Sequence, residues 1–302
     1  MDMISNTSPT DAAKLLRIAT YASVATATLL ILAKTVAWLL TGSVSVMASL
    51  VDSVMDAGAS LINLFAVRYS LVPADDQHRF GHGKAEALAG LGQATFIAGS
   101  AAFLVMHAVD RLLHPLPLGQ LGAGLAVMFF AILATIVLLS IQHYVIKRTN
   151  STAIRADALH YATDLATNSA TVLALLLATL GWSGLDPLFA MGIAAYILYA
   201  AYHIAWEAVQ LLLDRELSAQ AREEIKAIAQ STPRVLGLHG LRTRQSGQTK
   251  VIQLHLELDD DLSLADAHRI SQAVDEALRA RFPAADITIH QDPKGLGDET
   301  KA

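Results

Sequence analysis

Residues 44–69 read VSVMASLVDSVMDAGASLINLFAVRY, an apolar run with Asp52, Asp56 and Asn63 inside it. A helix needs roughly 20 apolar residues to cross a hydrocarbon core, so this run is long enough to span one. A second run, from Thr152 to Leu180, has the same mixed character, with His160, Asp164 and Asn168 among Ala, Leu and Thr. Asp52 and Asp56 are spaced i, i+4, as are His160 and Asp164, so each pair projects from one face of its helix. A carboxylate at mid-membrane costs roughly 2.5 to 3.5 kcal/mol by insertion scales, so these groups need a compensating partner.

Four more runs of similar length surround these two, at Leu15 to Leu40, Glu86 to Leu113, Leu118 to Ile146 and Leu185 to Leu213. Of the 302 residues, 53% are hydrophobic and 16% charged, which is too apolar for an ordinary soluble domain. The charges concentrate after Asp214, so a membrane domain followed by a soluble domain is expected. Hydropathy alone supports the second and fifth spans least, because both carry polar ligand-type residues. Met1 to Lys14 is polar and no small-residue cleavage site follows the first run, so the first helix is expected to remain in the mature protein. Lys14 and Arg17 precede the first span, Arg68, Arg79 and Lys84 lie between the second and third, and Lys147, Arg148 and Arg155 flank the fourth-to-fifth turn. The positive-inside rule then puts both termini in the cytoplasm. The expected organisation is an N-terminal cytoplasmic tail over 1–14, six transmembrane helices over 15–213, a cytoplasmic domain over 214–293 and a flexible tail over 294–302.

The region after Asp214 reads as a small α/β domain. A helix starts near Ser218 and closes before Pro233, strands follow at Val235 to Arg244 and Lys250 to Leu258 around a Ser246-Gly247 turn, a second helix follows Ser263, and a last strand covers Asp286 to His290. This αββαβ order suits an open ferredoxin-like sheet. Strict alternation in Ile252 to Leu258 buries Ile252, Leu254, Leu256 and Leu258 and turns His255 to the open face. His290 falls on the same face, with Asp292 and His239 close by.

The chain has no cysteine, so a metal must be held by His, Asp or Glu. If the second and fifth spans are neighbours, Asp52, Asp56, His160 and Asp164 meet near the bilayer middle. Three carboxylates and an imidazole without a cation repel one another in low dielectric; a divalent cation removes that repulsion. One nitrogen and three oxygens suit Zn²⁺ and also accept Cd²⁺, Fe²⁺ or Mn²⁺. The set must lose protons to take a metal, so proton exchange is chemically natural. Asn63 and Asn168 are better explained as hydrogen bonders between helices. His107, His114, His143 and His203 have no partner at ligand spacing and read as interfacial or structural, and Lys34 in the first span can snorkel toward the outer interface.

Asp52-x-x-x-Asp56, His160-x-x-x-Asp164 and the loop Pro73-Ala-Asp-Asp-Gln-His-Arg-Phe-Gly-His-Gly-Lys-Ala-Glu86 resemble the cation diffusion facilitator family, and within it the bacterial homodimeric zinc and iron efflux pumps. The resemblance covers about Leu15 to Pro293 with no departure at the ligand positions. It implies six spans, a metallochaperone-like cytoplasmic tail, a homodimer in the bacterial inner membrane, and efflux of Zn²⁺, or of Cd²⁺ or Fe²⁺, in exchange for protons. It also makes Asp75, His78 and His82 a cytoplasmic loop site and groups His239, His255, His268, His290 and Asp292 in a two-ion site between paired tails. Zinc is thus expected both as cargo and as a structural or regulatory ion.

A metal-gated channel needs a continuous polar pore, whereas the spans offer one cluster. An intramembrane metallohydrolase needs a general base, usually a Glu beside the ligands, and neither span supplies one. No enzyme activity and no nucleic-acid partner are expected. The resemblance also pairs Lys84 with Asp214 across the membrane boundary. Exposed ion pairs contribute only about 0 to 1 kcal/mol, so a double-mutant cycle on transport or dimer stability is the appropriate check; zero coupling between Lys84 and Asp214 rejects the pairing.

Overall fold

Pro9 opens the first helix, where its missing N–H costs nothing because that donor has no intrahelical partner. The structure, a computed structural model, describes residues 9–42, 44–113, 122–179 and 186–294. His114 and residues 295–302 of the expected C-terminal tail lie outside them. The membrane unit contains six long helices: α1 (Pro9–Thr41), α2 (Val44–Ser70), α3 (Lys84–Leu113), α4 (Gly122–Thr149), α5 (Thr152–Thr179) and α6 (Asp186–Leu212). α1 thus begins several residues before the first expected span.

Five of these helices hold a stretch long and apolar enough to cross a membrane, among the described residues. α5 carries Arg155, Asp157, His160 and Asp164 in its first half. α2 is one of the five, despite Asp52 and Asp56. α5 packs chiefly on α3 and α4. Gly90 makes the α3 contact close: a Cβ there would stand 2.9 Å from Thr152 Cγ2 and 3.3 Å from the Thr152 carbonyl. The turn from α4 into α5 is made by Asn150 at φ 53°, whose N–H bonds the Ile146 carbonyl at 2.8 Å. Asn tolerates this left-handed conformation, and Ser151 then accepts from the Ile154 N–H at 3.2 Å as the cap of α5. Leu16, Ala19, Val67, Val145, Ala153 and Ile154 gather where α1, α2, α4 and α5 meet, while Ile97, Ala101, Ile197 and Ala201 join α3 to α6.

The second unit begins at Gln210 and holds α7 (Ala219–Gln230), β1 (Gly237–Ser246), β2 (Thr249–Leu258), α8 (Leu264–Arg281) and β3 (Ala285–Pro293). This is the expected αββαβ order. Ser218 caps α7 and Ser263 caps α8, each accepting an N–H three residues on. β2 lies centrally, antiparallel to β1 and parallel to β3. Ile252, Leu254, Leu256 and Leu258 are buried against Ile225, Ala229, Val274 and Leu278 of the two helices. Leu254 is 1% exposed at the centre of this core. Leu254→Ala is expected to destabilise the cytoplasmic unit by about 2–5 kcal/mol, seen as faster hydrogen exchange of the β2 amides in the intact protein.

Candidate metal centres

His160 Nε2 lies 3.0 Å from Asp56 Oδ1 and 3.9 Å from Asp164 Oδ2, so one ring nitrogen faces carboxylates of both α2 and α5. One donor atom from each of Asp56, His160 and Asp164 falls within 4.8 Å of the others. His160 is buried, with Phe96 of α3 edge-on at 6.2 Å. The neighbouring Tyr161 hydroxyl bonds Ser60 Oγ at 2.8 Å, so α5 and α2 are joined one turn beyond the Asp56 contact. Asp52 lies one turn earlier on α2, is exposed, and falls outside the three-residue group.

Two expectations for the spans need correction. Lys34 does not snorkel: it is 8% exposed, and its Nζ donates to the Ser49 carbonyl at 3.0 Å and Ser53 Oγ at 2.6 Å. A buried ammonium needs acceptors, and α2 supplies them beside Asp52. Asn63 is buried, yet neither atom of its amide has a hydrogen-bond partner among the described residues, so it is not the helix-to-helix bonder expected. His203 is exposed on α6, with its ring edge-on to Tyr199 at 4.5 Å.

In the loop after α2, Asp75 Oδ1 accepts the backbone N–H groups of His78 at 2.6 Å and Gln77 at 2.9 Å. This Asx turn folds the chain so that Asp75 Oδ2 lies 3.4 Å from His82 Nε2. Gly81, at φ 76°, permits the reversal that brings His82 back. His82 Nδ1 donates to the Val72 carbonyl at 3.3 Å, which leaves its Nε2 as the ligand-type nitrogen beside Asp75 and His78. The His78 backbone N–H, with that of Gln77 and the nearby imidazoles, outweighs the opposing effect of burial and holds the Asp75 carboxyl below its ordinary range.

The tail site follows from strand register. His239 pairs with His255 across β1 and β2, and His255 with His290 across β2 and β3, so the three rings form one rung with centroids 5.0 and 4.8 Å apart. Asp292, on the same face of β3, meets all three: His239 Nε2 at 3.1 Å, His255 Nδ1 at 2.8 Å and His290 Nε2 at 3.0 Å. The donor set of His239, His255 and Asp292 lies within 4.8 Å, which fits a divalent metal. Gly240 makes room for it at a β-bulge, with φ +59°; a Cβ there would stand 2.8 Å from His255 Cδ2. His268 is exposed on α8 and outside the group.

Burial alone would raise the Asp292 carboxyl. The hydrogen bond with His255 and the nearby His290, His255 and His239 rings outweigh it and hold the group below its ordinary range. A depressed carboxyl contributes stability above its unfolded value, about 3.9, and loses it only as pH falls through the lower folded value.

Sequence reasoning missed Glu257. Its Oε1 lies 3.1 Å from His239 Nδ1, which fixes that ring with Nε2 toward Asp292. The signal was present, since Glu257 sits two residues from His255 on the open face of β2. Glu257→Ala is expected to lower divalent-metal affinity of the tail by about 10- to 100-fold, read by isothermal titration of the purified protein.

The comparisons with known proteins agree with this architecture. The chain matches the cation efflux transmembrane domain over residues 20–213 and the cation efflux protein cytoplasmic domain over 217–294. It is 52% identical over 280 residues to the cation-efflux pumps FieF of Escherichia fergusonii and of Shigella flexneri serotype 5b, covering 93% of this chain and 93% of each pump. A solved structure of the putative zinc transporter CzrB, in its zinc form, is similar over 28% of this chain and 96% of its own, with 33% identity and a TM-score of 0.27. The chain belongs to the cation efflux family, the cation diffusion facilitators, and is a membrane transporter of metal cations with a cytoplasmic sheet domain, not an enzyme.

Proposed function

We propose that this protein exports Zn²⁺ from the cytoplasm across a bacterial inner membrane in exchange for protons, working as a homodimer of six-span protomers with both termini inside. The observation that carries the reading is His160 Nε2 set between Asp56 at 3.0 Å and Asp164 at 3.9 Å, on helices of a membrane unit. Carboxylates so placed are costly unless protonated or neutralised by a cation, and the two solutions exclude each other. That exclusion is the chemical basis of antiport: protons leave as Zn²⁺ arrives, and return as it departs. An imidazole nitrogen among oxygens favours Zn²⁺ over Mn²⁺ and Fe²⁺.

In this reading Asp52 completes the coordination as fourth ligand, a movement of one helical turn's side chain bringing it to the cation. α5 serves as the sixth span, its polar half facing the ligand site instead of lipid. Asp75, His78 and His82 take up ions on the cytoplasmic side. The tail residues His239, His255, His290 and Asp292, joined by His268, would hold zinc where two tails meet. That zinc would neutralise two acidic faces and tie tail association to cytoplasmic metal. Asp214 pairs with Arg244 of β1 at 3.2 Å within the tail, and its pairing with Lys84 rests on the family resemblance alone.

The test is metal uptake into proteoliposomes with and without a pH gradient. Wild-type protein should concentrate Zn²⁺ only when an opposing proton gradient drives it. Asp164→Ala should lose transport, because the remnant lacks both a donor and a balancing charge. Uptake indifferent to the gradient removes the proton from the mechanism, and full transport by Asp164→Ala removes the site.

A further inference from the structure

Asp157 lies one turn before His160 on α5, and at the i, i+3, i+7 spacing Asp157, His160 and Asp164 share one face of that helix. It is 0% exposed. Its Oδ2 accepts from Ser23 Oγ of α1 at 2.5 Å and from Gln142 Nε2 of α4 at 2.7 Å, while Oδ1 accepts from Gln93 Nε2 of α3 at 3.0 Å. Gln142 Nε2 also reaches Ser23 Oγ at 3.0 Å, so the donors are tied to one another. On the next turn the Tyr161 hydroxyl meets Ser60 of α2 and the Ser23 carbonyl at 3.3 Å. α5 is thereby held to four other helices by directional bonds, and the transport ligand set contributes to none of these bonds.

We infer that Asp157 is a positioning residue: it fixes the rotation and depth of α5 and so sets His160 and Asp164 against Asp56. The apolar contacts around α5 cannot do this. There Ala153, Ile154 and Ala156 of α5 meet Leu16, Ala19, Val67, Ala94, Val145 and Ile204, all aliphatic, and in a bilayer apolar faces have little driving force to prefer one register over another. A helix can slide along such a surface at small cost. Three donors converging from three helices on one carboxylate lose their geometry with any slide or turn, and zinc-type ligands tolerate errors of only about 0.2 Å.

Asparagine can take over this role. Ser23 Oγ also has the Ala19 carbonyl at 3.1 Å as an acceptor for its proton, and Gln142 Oε1 has no partner among the described residues. With Asn at 157, the Ser23 proton turns to Ala19, Gln142 turns its Oε1 to accept from the new Nδ2, and Gln93 still donates to Oδ1. Alanine offers none of these bonds.

The inference rests on the transport site proposed above. The test measures KM and kcat for Zn²⁺ and Cd²⁺ uptake into proteoliposomes by wild type, Asp164→Ala, Asp157→Asn and Asp157→Ala. Asp157→Ala is expected to raise KM by about tenfold or more, as for residues that orient metal ligands, and to change the Zn²⁺/Cd²⁺ KM ratio. Asp157→Asn is expected to stay near wild type in both. A merely structural role lowers the amount of active protein and leaves the KM ratio unchanged, so that result overturns the inference. So does an Asp157→Asn variant as impaired as Asp157→Ala, which would make charge, not position, the contribution. If Asp157→Ala does not reach the membrane folded, Ser23→Ala and Gln142→Leu, each removing one donor, must shift the ratio in a common direction; no shift in either overturns it. A wild type that takes up no metal, or an active Asp164→Ala, refutes the transport site and the inference with it. A working wild type beside inactive Asp164→Ala and unaffected Asp157→Ala refutes the role of Asp157 alone.

Discussion

A charge removed from water must be given donors or a counter-charge, and most of what is specific in this membrane unit answers that requirement. It is met in three ways within a short distance along the bundle. Asp157 receives three neutral donors, which occupy both of its oxygens. Lys34 receives a carbonyl and a hydroxyl from α2. Among the described residues, Asp56 and Asp164 share one imidazole, at 3.0 and 3.9 Å, which leaves most of their lone pairs unused. The first two groups are closed; the third is open to a further cation. The difference in satisfaction, more than the presence of acids, separates Asp157 from the Asp56, His160 and Asp164 group that could hold a cation.

The cytoplasmic unit solves a different problem, because water is available to it. Its core closes by alternation on β2, and the face left open carries the metal-type residues. Strand register aligns His239, His255 and His290, and the parallel β2–β3 pairing sets Glu257 level with Asp292 at the next position on that face. The β-bulge at Gly240 lets His255 lean into the space that a side chain would fill. The loop site is simpler still, a turn made by Asp75 that folds His78 and His82 onto the acid that starts it.

Much of this was legible beforehand. Helical spacing paired His160 with Asp164 and Asp52 with Asp56, and strand alternation placed His255 and His290 on one face. Other points were not. Asp157 and Lys34 are polar residues whose partners lie on other helices, and no spacing rule tells which neighbours reach them: Ser23, Gln93 and Gln142 for the one, Ser49 and Ser53 for the other. Asn63 fits the pattern of a hydrogen bonder but has no partner among the described residues. Glu257 was visible by alternation, yet its contact with His239 depends on how far two strands lie apart.

The sequence by itself determined the element types and which residues share a face, because periods of 3.6 and 2 follow from local backbone geometry and need no knowledge of the neighbours. It also determined the ligand chemistry, since a chain without cysteine can offer only nitrogen and oxygen. Tertiary structure alone decided which faces meet: that α5 lies against α2, α3 and α4, that Asp157 has three donors from other helices, and that Asp52 falls outside the Asp56, His160 and Asp164 group. Those facts depend on contacts between residues distant in the chain, where a hydrogen bond is made or lost over a few tenths of an ångström.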